Sequence, residues 1–131
     1  MDDEVQRRKV EKELKIHKSL NHSHIVQFKH FFEDESNIYI LLELCERKSL
    51  WDLILTRREY ARVKGVKEGY RGLAEIEVRY YLYQIVKAVE HMHYGSDQKV
   101  IHKDLSMKNI FIGFNGSSTM QVKIGDFGMS C

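Results

Sequence analysis

The segment His102-Lys103-Asp104-Leu105-Ser106-Met107-Lys108-Asn109, followed by Asp126-Phe127-Gly128, constrains this chain more than any other. It sets an Asp, an Asn five residues later and a second Asp beyond a short hairpin. Ile110-Phe111-Ile112 and Val122-Lys123-Ile124 read as the two strands of that hairpin, with residues 113–119 as a glycine- and serine-rich turn. Any fold for the chain must bring two carboxylates and a carboxamide to the ends of one hairpin.

The rest of the sequence supplies a scaffold of helices and short strands. Residues 4–20 predict a helix, because Val10, Leu14, His17 and Leu20 form one apolar stripe among charges. Asn21-His22-Ser23-His24 ends it. Ile25 to Phe32 and Asn37 to Leu44 predict two strands joined by the acidic turn Glu33-Asp34-Glu35-Ser36. The run Ile38-Tyr39-Ile40-Leu41-Leu42 is nearly all apolar, so the second strand is expected to be buried on both faces. Lys48 to Leu55 predicts a short helix. Residues 57–71 hold six Lys or Arg against two Glu and show no period, which predicts a solvated loop; a basic patch for acidic peptide or nucleic acid is the alternative. Leu73 to His93 predicts a long helix with a stripe of Leu82, Ile85, Val86, Val89 and Met92, stopped by Gly95.

Bulk properties narrow the function classes. A chain of 131 residues predicts one domain. A net charge of +2 gives no general field for nucleic acid, so nucleic acid is not an expected partner. The apolar runs are too short for a membrane span, and Met1-Asp2-Asp3-Glu4 does not open a signal peptide. Cys45 and Cys131 form no disulfide framework and fit free thiols in a reducing compartment. His22 and His24, and His91 and His93, lack acidic or cysteine partners at ligand spacing, so zinc is not expected.

The chemistry suited to the opening pattern is phosphoryl transfer from ATP. One carboxylate accepts the substrate's hydroxyl proton, while an amide and a second carboxylate hold Mg²⁺ against the phosphates. The seven residues of His-x-Asp-Leu-x-x-x-Asn and Asp-Phe-Gly thus resemble a eukaryotic protein kinase catalytic domain. The run from Glu13 to Phe28, Phe31-Phe32-Glu33-Asp34, Leu42-Glu43-Leu44-Cys45, Val78 to Val86 and Lys123 to Gly128 is similar to the polo-like Ser/Thr kinases. The resemblance covers nearly the whole chain apart from residues 58–72 and 94–99.

The resemblance implies an α+β, partial two-lobed kinase fold: a regulatory helix, two small-lobe strands, a hinge, and the first part of a helical large lobe. Residues 1–45 would be small lobe and hinge, and residues 46–131 large lobe through Asp-Phe-Gly. It implies Asp104 as catalytic base, Asn109 and Asp126 as Mg²⁺ ligands, and Glu13 as the helix carboxylate that pairs with a phosphate-gripping lysine. Glu13 shares a helical face with Val10 and His17, and a carboxylate turned toward the core needs a cation. The backbone of Glu43 and Cys45 would bind adenine, Leu42 would gate the pocket behind it, and Phe111 would form its floor. Phe127 would pack under the first helix, and His102 would pack beneath its loop.

ATP and Mg²⁺ are the implied cofactors and a protein the implied substrate. The implied location is cytoplasmic or nuclear, with spindle poles or centrosomes by analogy alone. Two departures stand out. Lys103 replaces the usual arginine and loses its planar fork. Ser106 stands where such kinases carry a lysine, and the side chain of Lys108 is expected to leave in another direction. The similarity begins after the glycine-rich loop and ends three residues past Asp-Phe-Gly, so the chain is expected to be a fragment, inactive alone and prone to self-association. Its rivals are a non-catalytic fragment or pseudokinase acting by partner binding, and a basic module centred on residues 57–71.

Overall fold

The computed structural model describes residues 2–66, 72–114 and 119–131. It runs α1 (Asp2–Ser19), β1 (Phe28–Glu33), β2 (Ile38–Leu42), α2 (Leu50–Val63), α3 (Glu75–Tyr94), β3 (Ile110–Gly113) and β4 (Gln121–Ile124). The strands form two antiparallel pairs, β1 with β2 and β3 with β4. In the second pair Phe111 stands opposite Lys123 and Ile112 opposite Val122. The expected turn at residues 115–118 and the end of the basic stretch at residues 67–71 lie outside the described residues.

Helix α3 lies against the β3–β4 hairpin, and the core forms at that contact. One cluster gathers Leu20, Ile25, Ala88, Met92, Val100, Ile124 and Phe127. A second gathers Leu50, Tyr81, Ile110, Ile112 and Val122. The segment before β1 joins the same core by running parallel to β4. The Val26 N–H donates to the Ile124 carbonyl at 2.9 Å, and the Ile124 N–H donates to the His24 carbonyl at 2.9 Å. Ile25 therefore pairs with Ile124 rather than opening β1, which starts only at Phe28.

Other expectations are corrected too. Strand β2 is not buried on both faces: Tyr39, Ile40, Leu41 and Leu42 are all exposed. Among the described residues its sheet has two strands, too few to be covered on both faces. Residues 57–63 are helix, not loop. A capping box starts α2, with the Ser49 hydroxyl accepting from the Asp52 N–H and the Asp52 carboxylate accepting from the Ser49 N–H. Leu50, Ile54 and Ala61 then give α2 a buried stripe, and Arg57 reaches across to Glu77 of α3 at 2.7 Å.

The buried face of α3 overlaps the expected one only in part. Met92 is buried and Ile85 and Val89 pack against the core as expected, but Leu82 and Val86 face outward and Tyr81, Gln84 and Ala88 take the buried face. A polar residue marks the true face, because Gln84 Oε1 accepts the Val122 N–H at 2.8 Å. Gly95 does stop the helix, but with φ −76°, so a left-handed turn is not the reason. A Cβ there would meet the His91 carbonyl oxygen at 2.5 Å, which admits only glycine.

This division of faces is testable. Met92→Ala should cost about 2–5 kcal/mol of stability by leaving a cavity. Leu82→Ala, on the exposed side, should shift it by less than about 0.5 kcal/mol. Urea melts followed by circular dichroism measure both, and equal losses would restore the original stripe.

Candidate active site

The loop 102–109 is built on a buried ring. His102 Nε2 lies 2.8 Å from the Gly125 carbonyl, and its Nδ1 accepts the Asp104 N–H at 3.1 Å. This pairing places the proton on Nε2. The loop turns through Lys103 at φ +67°, a left-handed conformation that a lysine adopts only under constraint. The Asn109 amide nitrogen then donates to the Asp104 carbonyl at 2.9 Å and to Asp104 Oδ2 at 3.1 Å. Asp104 and Asn109 are thus locked together, and among the described residues one oxygen of each side chain has no hydrogen-bond partner.

The second Asp is brought beside this pair by the hairpin. The Gly125 N–H donates to the Asn109 carbonyl at 2.9 Å. Asp126 follows at φ +57°, exposed, while Phe127 beyond it is only 1% exposed. The Phe127 ring lies 4.7 Å from His17 of α1 and 5.1 Å from His102. Both expectations for Phe127 and His102 hold. The backbone strain at Asp126 is sustained because its neighbour is anchored and its Oδ1 accepts the Gly128 N–H at 3.3 Å.

Glu13 faces this turn from α1. Its Oε2 would stand 3.6 Å from a Cβ at Gly128. Among the described residues no Lys or Arg pairs with it. Burial, reinforced by the Asp126 charge, raises its pKa above the ordinary glutamate value. The cation that the sequence demanded is not among its neighbours, and two carboxylates meet instead.

Next to Asp126 opens a cleft of about 790 Å³, lined by Leu42, Glu43, Cys45, Phe111 and Asp126 together with Val26 and Trp51. All four residues expected to bind a nucleotide base line it. Gly125 makes room for the Phe111 ring, since a Cβ there would meet that ring at 2.7 Å. The Glu43 N–H is taken by the Gln27 carbonyl at 2.9 Å. Among the described residues, the Glu43 carbonyl and the Cys45 N–H make no hydrogen bond and remain free for a ligand. The Cys45 thiol is pushed up to about 11, by burial first and then by the Glu43 carboxylate, so it stays protonated near neutral pH.

Sequence reasoning missed part of this lining. Lys108, expected to leave in another direction than a side chain at position 106, lines the cleft with its ammonium 5.7 Å over the Trp51 ring. Lys48, also in the lining, sits at φ +61° in the turn before α2. Lys123, read only as a strand residue, is buried and paired with Glu43 at 2.8 Å. One sequence signal could have marked it: a lysine flanked by Val122 and Ile124 in a core strand needs an internal partner. Elsewhere His22 lies 5.1 Å from His91, ring to ring, but among the described residues no three His, Cys, Asp or Glu gather in a metal-holding group.

The protein kinase domain family matches residues 1–131. The chain belongs to the protein kinase family. Its fold is accordingly a partial, mixed α+β protein-kinase fold, and its relatives are polo-like. This kinase chain is 42% identical over 125 residues to the mouse serine/threonine-protein kinase PLK2, covering 95% of the chain and 15% of that relative. It is 43% identical over 124 residues to a probable serine/threonine-protein kinase PLK of Dictyostelium discoideum, covering 95% of the chain and 10% of the relative. It is 40% identical over 125 residues to the serine/threonine-protein kinase polo of Drosophila melanogaster, covering 95% and 18%. The kinase chain therefore spans less than a fifth of the length of these relatives. No described helix is long and apolar enough to cross a membrane.

The Glu13–Asp126 encounter has a measurable pH signature. A carboxyl held above its ordinary value binds an extra proton in the folded state. Its contribution to stability is therefore present below the ordinary value and lost as pH rises through the raised one. Asp126→Asn removes the smaller cause, so Glu13 should titrate lower than in the parent yet still above the ordinary value, because burial remains. Carboxyl carbon NMR reads this directly, and an unchanged Glu13 titration would refute the coupling.

Proposed function

We propose that the chain is the central part of an ATP- and Mg²⁺-dependent Ser/Thr protein kinase of polo-like type, which transfers the ATP γ-phosphoryl group to protein hydroxyls. In this reading residues 1–45 are small lobe and hinge, and residues 46–131 are large lobe. The observation that carries it is the Asp104–Asn109 pair held beside Asp126 at the end of a base-sized cleft.

The roles follow from which atoms are free. Asn109 gives its amide N–H to Asp104, so its carbonyl oxygen remains to hold a cation. Asp104 receives that N–H on Oδ2 and keeps Oδ1 for a substrate hydroxyl proton. Asp126, exposed and acceptor-rich, is the second cation ligand. These oxygen donors suit Mg²⁺, which when bound neutralises charge on the phosphates. The Glu43 carbonyl and Cys45 N–H are placed to read the adenine edge, Phe111 forms the floor, and Leu42 closes the inner end. Glu13 awaits a cation from a phosphate-gripping lysine, so the 131-residue chain alone should transfer little.

A second reading, partner binding without catalysis, is favoured by one observation. The outer face of α3 exposes Ile76, Leu82, Tyr83 and Val86 together, an apolar surface suited to docking.

Two assays test the proposal. The chain by itself should label casein from radiolabelled ATP no more than its Asp126→Ala variant does. Grafted into the catalytic domain of the fruit fly polo relative, the segment should support transfer. In that graft Asp104→Asn should cut turnover by about 10²–10⁴ with nucleotide binding kept, while Asp126→Ala weakens both. Ser106→Lys should raise turnover about tenfold, or about 1.4 kcal/mol. An active Asp104→Asn graft would remove the assigned base.

A further inference from the structure

Lys123 sits in β4 with its side chain 3% exposed, between the buried Val122 and Ile124 in the strand. Among the described residues its ammonium makes two polar contacts. One is to Glu43 Oε1 at 2.8 Å, and the other is to the Ser23 carbonyl at 2.8 Å. Glu43 is itself only 14% exposed, and its second carboxylate oxygen accepts the Gln27 N–H at 3.0 Å. The Glu43 backbone N–H donates to the Gln27 carbonyl, so side chain and main chain both grip Gln27. Lys123 faces Phe111 across the hairpin, and Asp126 lies three residues after it. One buried cation thus spans three strips of chain: the loop before β1, the segment 43–45, and the strand leading to Asp126.

Stability alone does not account for such a pair. Charges withdrawn from water lose hydration that their attraction repays only in good geometry. An apolar pair of like volume commonly serves a core as well or better. What the ion pair adds is a fixed direction and distance. It fixes the side chain of Glu43, whose own carbonyl, like the Cys45 N–H, makes no hydrogen bond among the described residues. The chain after Glu43 is separately tied to the hairpin, by the Arg47 N–H on the Ile112 carbonyl and the Ile112 N–H on the Lys48 carbonyl. Segment 43–45 is the span between two anchors, and Lys123 supplies the first.

We propose that Lys123 is a positioning residue: through Glu43 it sets the distance between the base-reading edge at residues 43–45 and the Phe111 floor, and so selects for a purine-sized planar base. This rests on the nucleotide reading of the cleft.

The test uses the 131-residue chain, with adenosine as the probe of the base site and Mn²⁺ as the probe of Asn109 and Asp126. Lys123→Met should weaken adenosine about tenfold or more, with Mn²⁺ affinity within about threefold of the parent. Lys123→Arg, which keeps the charge, should recover most of the adenosine affinity. The double variant Lys123→Met/Glu43→Leu replaces the pair by apolar groups. It should melt at or above the parent temperature and still bind adenosine weakly. Parent-like adenosine binding in folded Lys123→Met or in the folded double variant overturns the proposal, and so does failure of both of these to fold, which would mark Lys123 as purely structural. A parent chain that binds neither adenosine nor Mn²⁺ would instead remove the nucleotide reading beneath it.

Discussion

Burial of Phe127 holds this structure together at the point where its chemistry sits. The ring is wedged between His17 of α1 and His102 of the loop, so one side chain joins the first helix, the hairpin and the loop bearing Asp104. Both histidines are themselves tied to backbone carbonyls, His17 to Val26 and His102 to Gly125. Burial lowers the His17 pKa, which keeps that ring neutral against Phe127 under physiological conditions. Each of these contacts limits where Asp126 can go. A carboxylate one residue from a fully buried aromatic has little freedom to wander, and the left-handed backbone at Asp126 is the local cost of that placement.

The site was far more legible in the sequence than the packing around it. Asp104, Asn109 and Asp126 stand in a fixed order with a hairpin between, and local turns and one antiparallel pair suffice to assemble them. The cleft residues Leu42, Glu43, Cys45 and Phe111 were found through family likeness, since apolar strand residues alone would be read as core. Helical phase was harder to read. In α3 a count of apolar residues favoured Leu82 and Val86, but Gln84 faces inward because the Val122 N–H needs an acceptor there. In α2 the density of arginines hid a buried stripe whose members, Leu50, Ile54 and Ala61, are widely spaced. Long charged side chains such as Arg57 can cover a helix without being loop.

Strand β2 failed for a different reason. Its apolar run was read as a strand covered on both faces, and among the described residues its sheet has only two strands. A hydrophobic pattern reports what a strand is suited to meet, and the match is to relatives several times longer than this chain. The same logic applies to Glu13, whose helix face suits a pairing with a cation that its described neighbours do not provide. In both places the sequence carries half of a contact.

Among the described residues, the three non-glycine residues with left-handed backbone, Lys48, Lys103 and Asp126, all border the site. Each holds about 1–2 kcal/mol of conformational strain. Glycine would relieve that strain while adding about 0.5–1 kcal/mol of unfolded-chain entropy. The balance favours glycine slightly at all three, but the exchange is not equivalent among them. At Lys103 the exchange would remove an exposed cation next to Asp104. At Asp126 the same relief would delete the carboxylate itself. Adjacent stretches of one loop system thus differ in what relief of strain would remove: a cation beside Asp104 at one position, and at the other the carboxylate on which the proposed chemistry depends.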